Sequence, residues 1–332
     1  MRQQLSSAKQ KSKIANHPMD GILIIDKPAG STSHDVVARV RRILRERRIG
    51  HTGTLDPFAT GVLMLLVGRA TRLAQFLAGA EKEYEATIRF GYATDTGDLT
   101  GAPRLADGET IKPCADWTDA EIEAACAPLR GEIEQVPPMY SAKKMQGRKL
   151  YELARRGVEV ERPAVRVVVH ALEPLPTSGP LLTQQADGTC DLRVRVVCSA
   201  GTYVRTLAES IGENLQTGAH LTTLRRTRAG AFNLSAAVGL EQLNEMVEQG
   251  RAGAALLPLN AALPELLSLH LTAEDARRVR HGAAVRGGEQ QWLDGAQIKL
   301  YDAAGALLAI AVYDAARGQL RPRVMLATEN NV

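Results

Sequence analysis

Aromatic residues are scarce: four Phe, seven Tyr and two Trp make up 4% of the 332 residues. So low a content argues against an extended platform on which the bases of a single strand would stack in succession. Cysteine is sparse too. Cys114, Cys126, Cys190 and Cys198 are scattered, with no CxxC pair and no histidine at metal-ligand spacing. This excludes a zinc-ribbon pattern, leaves no metal site to expect, and predicts reduced thiols. No apolar run approaches the ~20 residues that a membrane helix needs, and the first twenty residues are polar and basic without a signal-peptide core. A cytoplasmic protein without a membrane partner is expected. A GxGxxG fingerprint and a regular βαβ alternation are also missing, which points away from a doubly wound dinucleotide binder and toward an α+β fold with a mixed β-sheet.

What is present is ample apolar material, 45% of the chain against 23% charged residues, enough for a sizeable core and more than one domain. Net charge is only +4, but the positive residues are gathered. Residues Met1 to Asp20 are expected to form a disordered basic extension. After Ser31, Thr32 and Ser33, the segment DVVARVRRILRERRIG sets Val36, Val37, Val40, Ile43 and Leu44 on one helical face and is predicted to end at Gly50. Its other face carries six arginines between Arg39 and Arg48 against Glu46. A second cluster is PPMYSAKKMQGRKLYELARRG, Pro137 to Gly157, where Lys143, Lys144, Arg148, Lys149, Arg155 and Arg156 oppose Glu152. Either cluster alone fits a solvated face equally well; two together suggest a polyanion, because phosphate contacts release condensed counterions.

Strands are predicted at GILIIDKP, at VLMLLVG, at the alternation Tyr84, Ala86, Ile88, Phe90, at AVRVVVHAL and at LRVRVVC. The last runs into SAGTYVRTLAESIGENL, a helix with the apolar face Val204, Leu207, Ile211 and Leu215. Beyond an Ala/Leu/Pro stretch from Ala252 to Pro264, a TAED start at Thr272 opens a short helix, and strands at IKLY, LLAIAVY and RVML follow. Leu263 to Val332 reads as a separate small β-rich module.

One stretch poses a chemical question. GHTGTLDPFATG, Gly50 to Gly61, sets a lone carboxylate, Asp56, among glycines and threonines with Pro57 behind it. By itself this is an Asp-Pro turn. In order along the chain, however, GILIIDKPAGSTS, GHTGTLDPFATG, KEYEA, PPMYSAKKMQGRKLYELARRG and SAGTYVRTL resemble the motifs of the bacterial tRNA pseudouridine-55 synthases of the TruB family. The resemblance covers Gly21 to Glu245. It implies a pseudouridine synthase catalytic domain over residues 21–258, with flanking helices and a basic RNA-clamping insert at 137–157. The tail, 263–332, is similar to a PUA-type RNA-binding module.

The resemblance also implies the chemistry. Uridine at position 55 of the tRNA T-loop would be flipped out, detached at C1′ and reattached through C5, with no cofactor. Asp56 matches the catalytic aspartate, Arg205 the arginine that pairs with it, and Tyr84 the tyrosine that stacks on the base and handles the C5 proton. Tyr203 and Leu224 match positions lining the uracil pocket, although a leucine in GAHLTTLRR would equally pack a helix. Lys27 would support the pocket, and His51 would hold the opened loop. Lys143, Lys144, Arg148 and Lys149 would bind RNA. The implied partner is tRNA, gripped at the T-arm and elbow by a monomer with no obligatory protein partner. Two other readings share these residues: a guide-RNA-dependent pseudouridine synthase, and a noncatalytic protein that assists tRNA folding.

Overall fold

The computed structural model describes residues 19–104, 114, 117–145, 147–176, 180–288 and 292–327. Its main elements up to residue 250 are β1 (Gly21–Lys27), α1 (Ser33–Leu44), β2 (Thr60–Val67), β3 (Lys82–Phe90), β4 (Gly131–Gln135), β5 (Val165–Pro174), β6 (Cys190–Cys198), α2 (Val204–Asn214), β7 (Ala219–Ala229) and α3 (Leu240–Glu248). The seven strands form the path β1-β2-β7-β3-β6-β5-β4 of a ten-stranded sheet whose other three strands are short and lie off it. All neighbours on this path are antiparallel except β2 and β7, which run parallel with Arg225 opposite Thr60 and Arg226 opposite Gly61. The sheet is therefore mixed, as predicted, and its one parallel pair lies where the Asp56 loop enters the sheet.

The unbroken apolar runs of β1 and β2 have a simple cause. Successive side chains of a strand face opposite sides, and here both sides are covered. Leu23, Ile25, Leu63, Leu65 and Val67 enter the principal core beneath α1, α2 and α3, whereas Ile22, Ile24, Val62, Met64 and Leu66 enter a second one. Gly61 is forced by the same crowding. It has φ +99°, and a Cβ there would sit 2.2 Å from the Arg226 carbonyl oxygen.

Helix α1 starts as predicted, in a reciprocal cap: Thr32 Oγ1 accepts from the Asp35 amide at 3.1 Å, and Asp35 Oδ2 accepts from the Thr32 amide at 2.9 Å. Val36, Val37, Val40 and Leu44 are buried. The helix ends five residues earlier than expected, because Arg45 takes the left-handed conformation, φ 53°. That turn lets Ile49 bury itself opposite Val67, which offsets the cost of about 1–2 kcal/mol for a non-glycine residue there. GAHLTTLRR is also not helical but part of β7, where Leu224 pairs with Ala86 of β3.

The tail forms β8 (Leu267–His270), α4 (Ala273–Arg280), β9 (Val285–Arg286), β10 (Gln297–Tyr301), β11 (Leu307–Asp314) and β12 (Gln319–Met325), in a sheet ordered β8-β10-β11-β12-β9. Thr272 caps α4 through the Asp275 amide. This β-rich unit has its own core around Val279, Ile298, Leu300 and Ala311. It is less separate than expected. Leu263, Ile310, Val324 and Leu326 complete the second core on the back of β1 and β2, and Arg69 and Arg72 donate to the carbonyls of Leu326 and Met325.

Two further expectations change. Residues 1–18 of the predicted extension lie outside the described residues, but Asp20 belongs to the fold: its carboxylate pairs with Arg69 at 2.7 Å. Cys114 and Cys190 form a disulfide, so only Cys126 and Cys198 are free thiols, both buried. The sequence separation of 76 between the partners hides their proximity in the sequence. The sheet register sets Cys190 against Phe90, and the Cys114 amide bonds to the Gly188 carbonyl beside them.

Candidate active site

The loop that carries Asp56 is pinned from beneath. Ser33 Oγ accepts from the Leu55 amide at 2.9 Å, and Lys27, fully buried at the end of β1, donates to the carbonyls of Pro28, Pro57 and Ala59. Burial holds the Lys27 ammonium down at about 8, with the negative charge of Asp56 pulling the other way. Lys27 thus ties the loop down to the end of β1.

Arg205 comes from the first turn of α2, whose N-cap is Tyr203. The sequence alone would equally have put it on a helix surface, but it is 3% exposed. Its Nε lies 2.9 Å from Asp56 Oδ2 and its Nη2 3.1 Å from Oδ1. The same guanidinium donates to the carbonyls of Thr96 at 2.6 Å and Tyr140 at 2.7 Å, and Asp98 stands 3.9 Å away. A fork held at both edges has one orientation, and so has the carboxylate it grips. Burial pushes the Asp56 carboxyl above its ordinary value; Arg205 opposes this and Asp98 adds to it.

Around this pair lies a cavity of about 240 Å³, lined among others by Asp56, Lys82, Tyr84, Tyr203, Arg205, Leu224 and Arg226. Asp56 is the sole carboxylate among its described lining residues. Tyr84 is buried on β3, and burial raises its phenol, with Arg226 drawing the other way. Tyr203 is locked through its backbone, where its amide donates to Gln135 Oε1 at 3.0 Å, and burial raises its phenol as well. Leu224 contributes an apolar wall from β7. Five of the expected residues, Asp56, Tyr84, Tyr203, Arg205 and Leu224, therefore meet at one cavity.

His51 does not line it. Its Nε2 lies 3.2 Å from Thr54 Oγ1, and its ring meets that of His34 edge-on at 5.3 Å; burial lowers its pKa, and His34 and Arg226 add to this. The basic insert contains a short hairpin, Lys144–Met145 against Arg148–Lys149, turning at Gly147 with φ +82°. Lys144 and Arg148 are exposed and Lys143 is half-buried; the side chain of Lys149 lies outside the described residues. The insert is joined to the centre, since Tyr140 accepts from Arg205 and Ser141 lines the cavity.

Comparison with known proteins gives this geometry a family. Residues 41–204 match the model of the TruB family pseudouridylate synthase N-terminal domain, and residues 205–264 that of the tRNA pseudouridylate synthase B C-terminal domain. A tRNA pseudouridine synthase B from Geobacillus thermodenitrificans is 44% identical over 92% of this chain and 98% of its own. One from Cupriavidus metallidurans is 41% identical over 96% and 97%. The chain belongs to the TruB family of tRNA pseudouridine synthases. As a TruB-family enzyme it is an isomerase. Its fold is similar to a solved Cbf5-Nop10-Gar1 complex, at TM-score 0.68 and 27% identity, over 94% of this chain and 86% of the matched one. Three groups at the centre of this TruB-family chain escape sequence reading: Asp98, Lys82 and Arg226. Lys82 and Arg226 stand inside the motifs KEYEA and GAHLTTLRR, and their only signal is a cation at an inward position of a strand. No helix among the described residues is long and apolar enough to cross a membrane.

Proposed function

We propose that the protein converts the uridine at position 55 of the tRNA T-loop into pseudouridine, with Asp56 as its catalytic carboxylate. The observation that carries this reading is the bidentate Asp56–Arg205 pair on the wall of a cavity that contains no second carboxylate among its described lining. A retaining glycosidase uses two carboxylates, because an aglycone must be protonated, leave and be replaced by water. In this isomerisation the departing uracil itself returns, so one carboxylate suffices and water has to be kept out. The C1′–N1 bond breaks, a C1′–C5 bond forms, a proton leaves C5 and another arrives at N1, so the balance needs no cofactor. Leu224 and the apolar strand behind Asp56 exclude water, Tyr84 stacks on the base and stands where the C5 proton must go, and Tyr203 closes the opposite side.

Asp56 reaches C1′ only after the nucleotide has left its stack, at a cost of about a few kcal/mol. Lys143, Lys144, Arg148 and Lys149 of the insert offset that cost by holding phosphates of the T-arm. His51 supports the opened loop from outside the cavity, and the β-rich tail grips the rest of the tRNA as a PUA-like module. The protein acts as a monomer without an obligatory partner protein.

A guide-RNA-dependent reading draws on the similarity to a Cbf5 complex. It is weaker than the relatives that this chain spans almost end to end. One experiment separates the readings: the purified protein alone is incubated with an isolated T-arm hairpin, and pseudouridine is mapped. Conversion at the position equivalent to 55 supports the stand-alone enzyme; no conversion until a guide RNA and partner proteins are added supports the other.

A further inference from the structure

Two cations at the cavity take no part in the reaction steps assigned so far. Lys82 and Arg226 come from neighbouring strands, β3 and β7, and are 6% and 1% exposed. They converge on Gly53: a Cβ on that glycine would lie 3.5 Å from Arg226 Nη1 and 3.6 Å from Lys82 Cε. Lys82 donates to the backbone carbonyls of Ala78 and Ala80, and Arg226 to those of Val62 and Gly53 and to the Tyr84 hydroxyl. Neither has a carboxylate partner among the described residues. An ammonium has three donors, so Lys82 keeps one in reserve.

Burying two positive charges without a counter-ion is expensive. An arrangement of this kind persists where a negative charge arrives from elsewhere. Resting on the assignment of Asp56, we propose that Lys82 and Arg226 form an electrostatic cradle for the negative charge that the uracil ring carries while it is detached from C1′. The charge balance requires such a partner. When C1′–N1 breaks, the electron pair goes to the ring and spreads over N1, O2 and O4; when C5 bonds to C1′ it is returned, and loss of the C5 proton and gain of one at N1 restore neutrality. Addition of the carboxylate at C6 would also place negative charge on the ring, so the cradle serves either route. Asp56 cannot do this itself, being negative and held by Arg205. Tyr84, opposite Arg226 and two residues from Lys82 on its own strand, places the ring against them.

The groups that set the titration of Lys82 are Arg226 from β7 and Cys198 at the end of β6, with Tyr84 two residues along its own strand. Burial brings the ammonium down to about 8, Arg226 adds to the lowering, and Cys198, itself held at about 11 by burial, opposes it. The cation is therefore present below about pH 8 and lost above it in the free enzyme.

The test is single-turnover release of the C5 hydrogen, as tritium, from a T-arm hairpin with enzyme in excess. Lys82→Met is expected to slow bound conversion by about 100-fold, the loss typical when a preorganised donor to a developing charge is removed, while Kd for the hairpin stays near that of the unaltered enzyme. Lys82→Arg should recover most of the rate. In the unaltered enzyme kcat/KM should fall as pH rises through about 8, and Lys82→Arg should make that fall shallower, leaving the part that belongs to Lys27, also held at about 8. A normal saturated rate in Lys82→Met overturns the proposal. So does weaker binding with a flatter salt dependence and an unchanged saturated rate, which would make Lys82 a contact to a backbone phosphate. Should Lys82→Met not fold, Lys82→Gln in the same single-turnover assay decides: a normal saturated rate overturns the proposal. Asp56→Asn in the same assay keeps the two levels apart, since its activity would sink the assignment of Asp56 regardless of what Lys82 does.

Discussion

Arg205 holds Asp56 with two nitrogens at once, Nε to Oδ2 at 2.9 Å and Nη2 to Oδ1 at 3.1 Å, while its outer edges are bound to the carbonyls of Thr96 and Tyr140. The guanidinium therefore fixes direction as well as charge. Lysine keeps the charge but offers a single point, and cannot reach two carboxylate oxygens and two carbonyls in one plane. Arg205→Lys is expected to lose about 100-fold or more in single-turnover rate, with hairpin affinity little changed. A near-normal rate would show that the carboxylate needs only a nearby positive charge.

Asp56→Asn keeps the shape of the side chain and removes the nucleophile, so isomerisation should vanish while tRNA affinity, which rests on many phosphate contacts, persists. The acid side of the pH profile reports the same group. Burial raises the Asp56 pKa, so activity should be present above this raised value and fall as pH drops through it, at higher pH than an ordinary aspartate would give. Arg205 pulls that pKa down, so Arg205→Met should move the acid limb further upward, as measured by kcat/KM against pH on whatever activity remains. A limb at the ordinary aspartate position in both proteins would assign the carboxylate elsewhere.

Much of this site was legible in the sequence, and what escaped did so for physical reasons. β1 and β2 announce themselves as apolar runs, but a run buried on both faces does not say what covers each one, and the contact of the tail with Ile22, Ile24 and Met64 stayed hidden. Arg225 and Arg226 are adjacent, and alternation sends one to Asp26 at the half-exposed surface and the other into the cavity wall. Until GAHLTTLRR is known to be a strand, nothing distinguishes them. Asp98 sits in a turn-rich loop where every residue suits a turn, and only tertiary packing sets it beside Arg205. Cys114 and Cys190 meet only because the segment carrying Cys114 lies against the start of β6, its amide on the Gly188 carbonyl.

The shared second core changes what truncation should do. Removing residues 263–332 would uncover the faces of Ile22, Ile24, Val62, Met64 and Leu66 where Leu263, Ile310, Val324 and Leu326 now pack. Each large apolar side chain returned to water forfeits about 1.5–3 kcal/mol, against a total stability of about 5–15 kcal/mol for a typical domain. The truncated protein is therefore expected to melt far below the full chain, or to aggregate, rather than to keep its saturated rate. Thermal unfolding of the two proteins checks this; equal midpoints would show that the tail is an independent appendage.

The remaining question is how the enzyme reaches a base that is stacked inside a folded loop. The hairpin around Gly147 carries exposed Lys144 and Arg148, yet its base is tied to the reaction centre through Tyr140 and Arg205. A clamp built this way would couple phosphate binding to the position of the guanidinium that holds Asp56. Neutralising Lys143, Lys144, Arg148 and Lys149 together should weaken binding and flatten its salt dependence, by roughly 0.7–0.9 in the slope of log K against log salt for each phosphate no longer neutralised. His51 lies outside the cavity wall, against His34 and Thr54, so His51→Ala should leave affinity nearly intact and slow conversion of RNA already bound. A fluorescent base analogue at the target position, followed by stopped flow, separates the two steps: the quadruple variant should be slow to bind and the histidine variant slow after binding. An unchanged salt slope in the quadruple variant, or flipping at its normal rate, would return the insert to the status of a solvated surface and leave the cost of unstacking to be met inside the cavity.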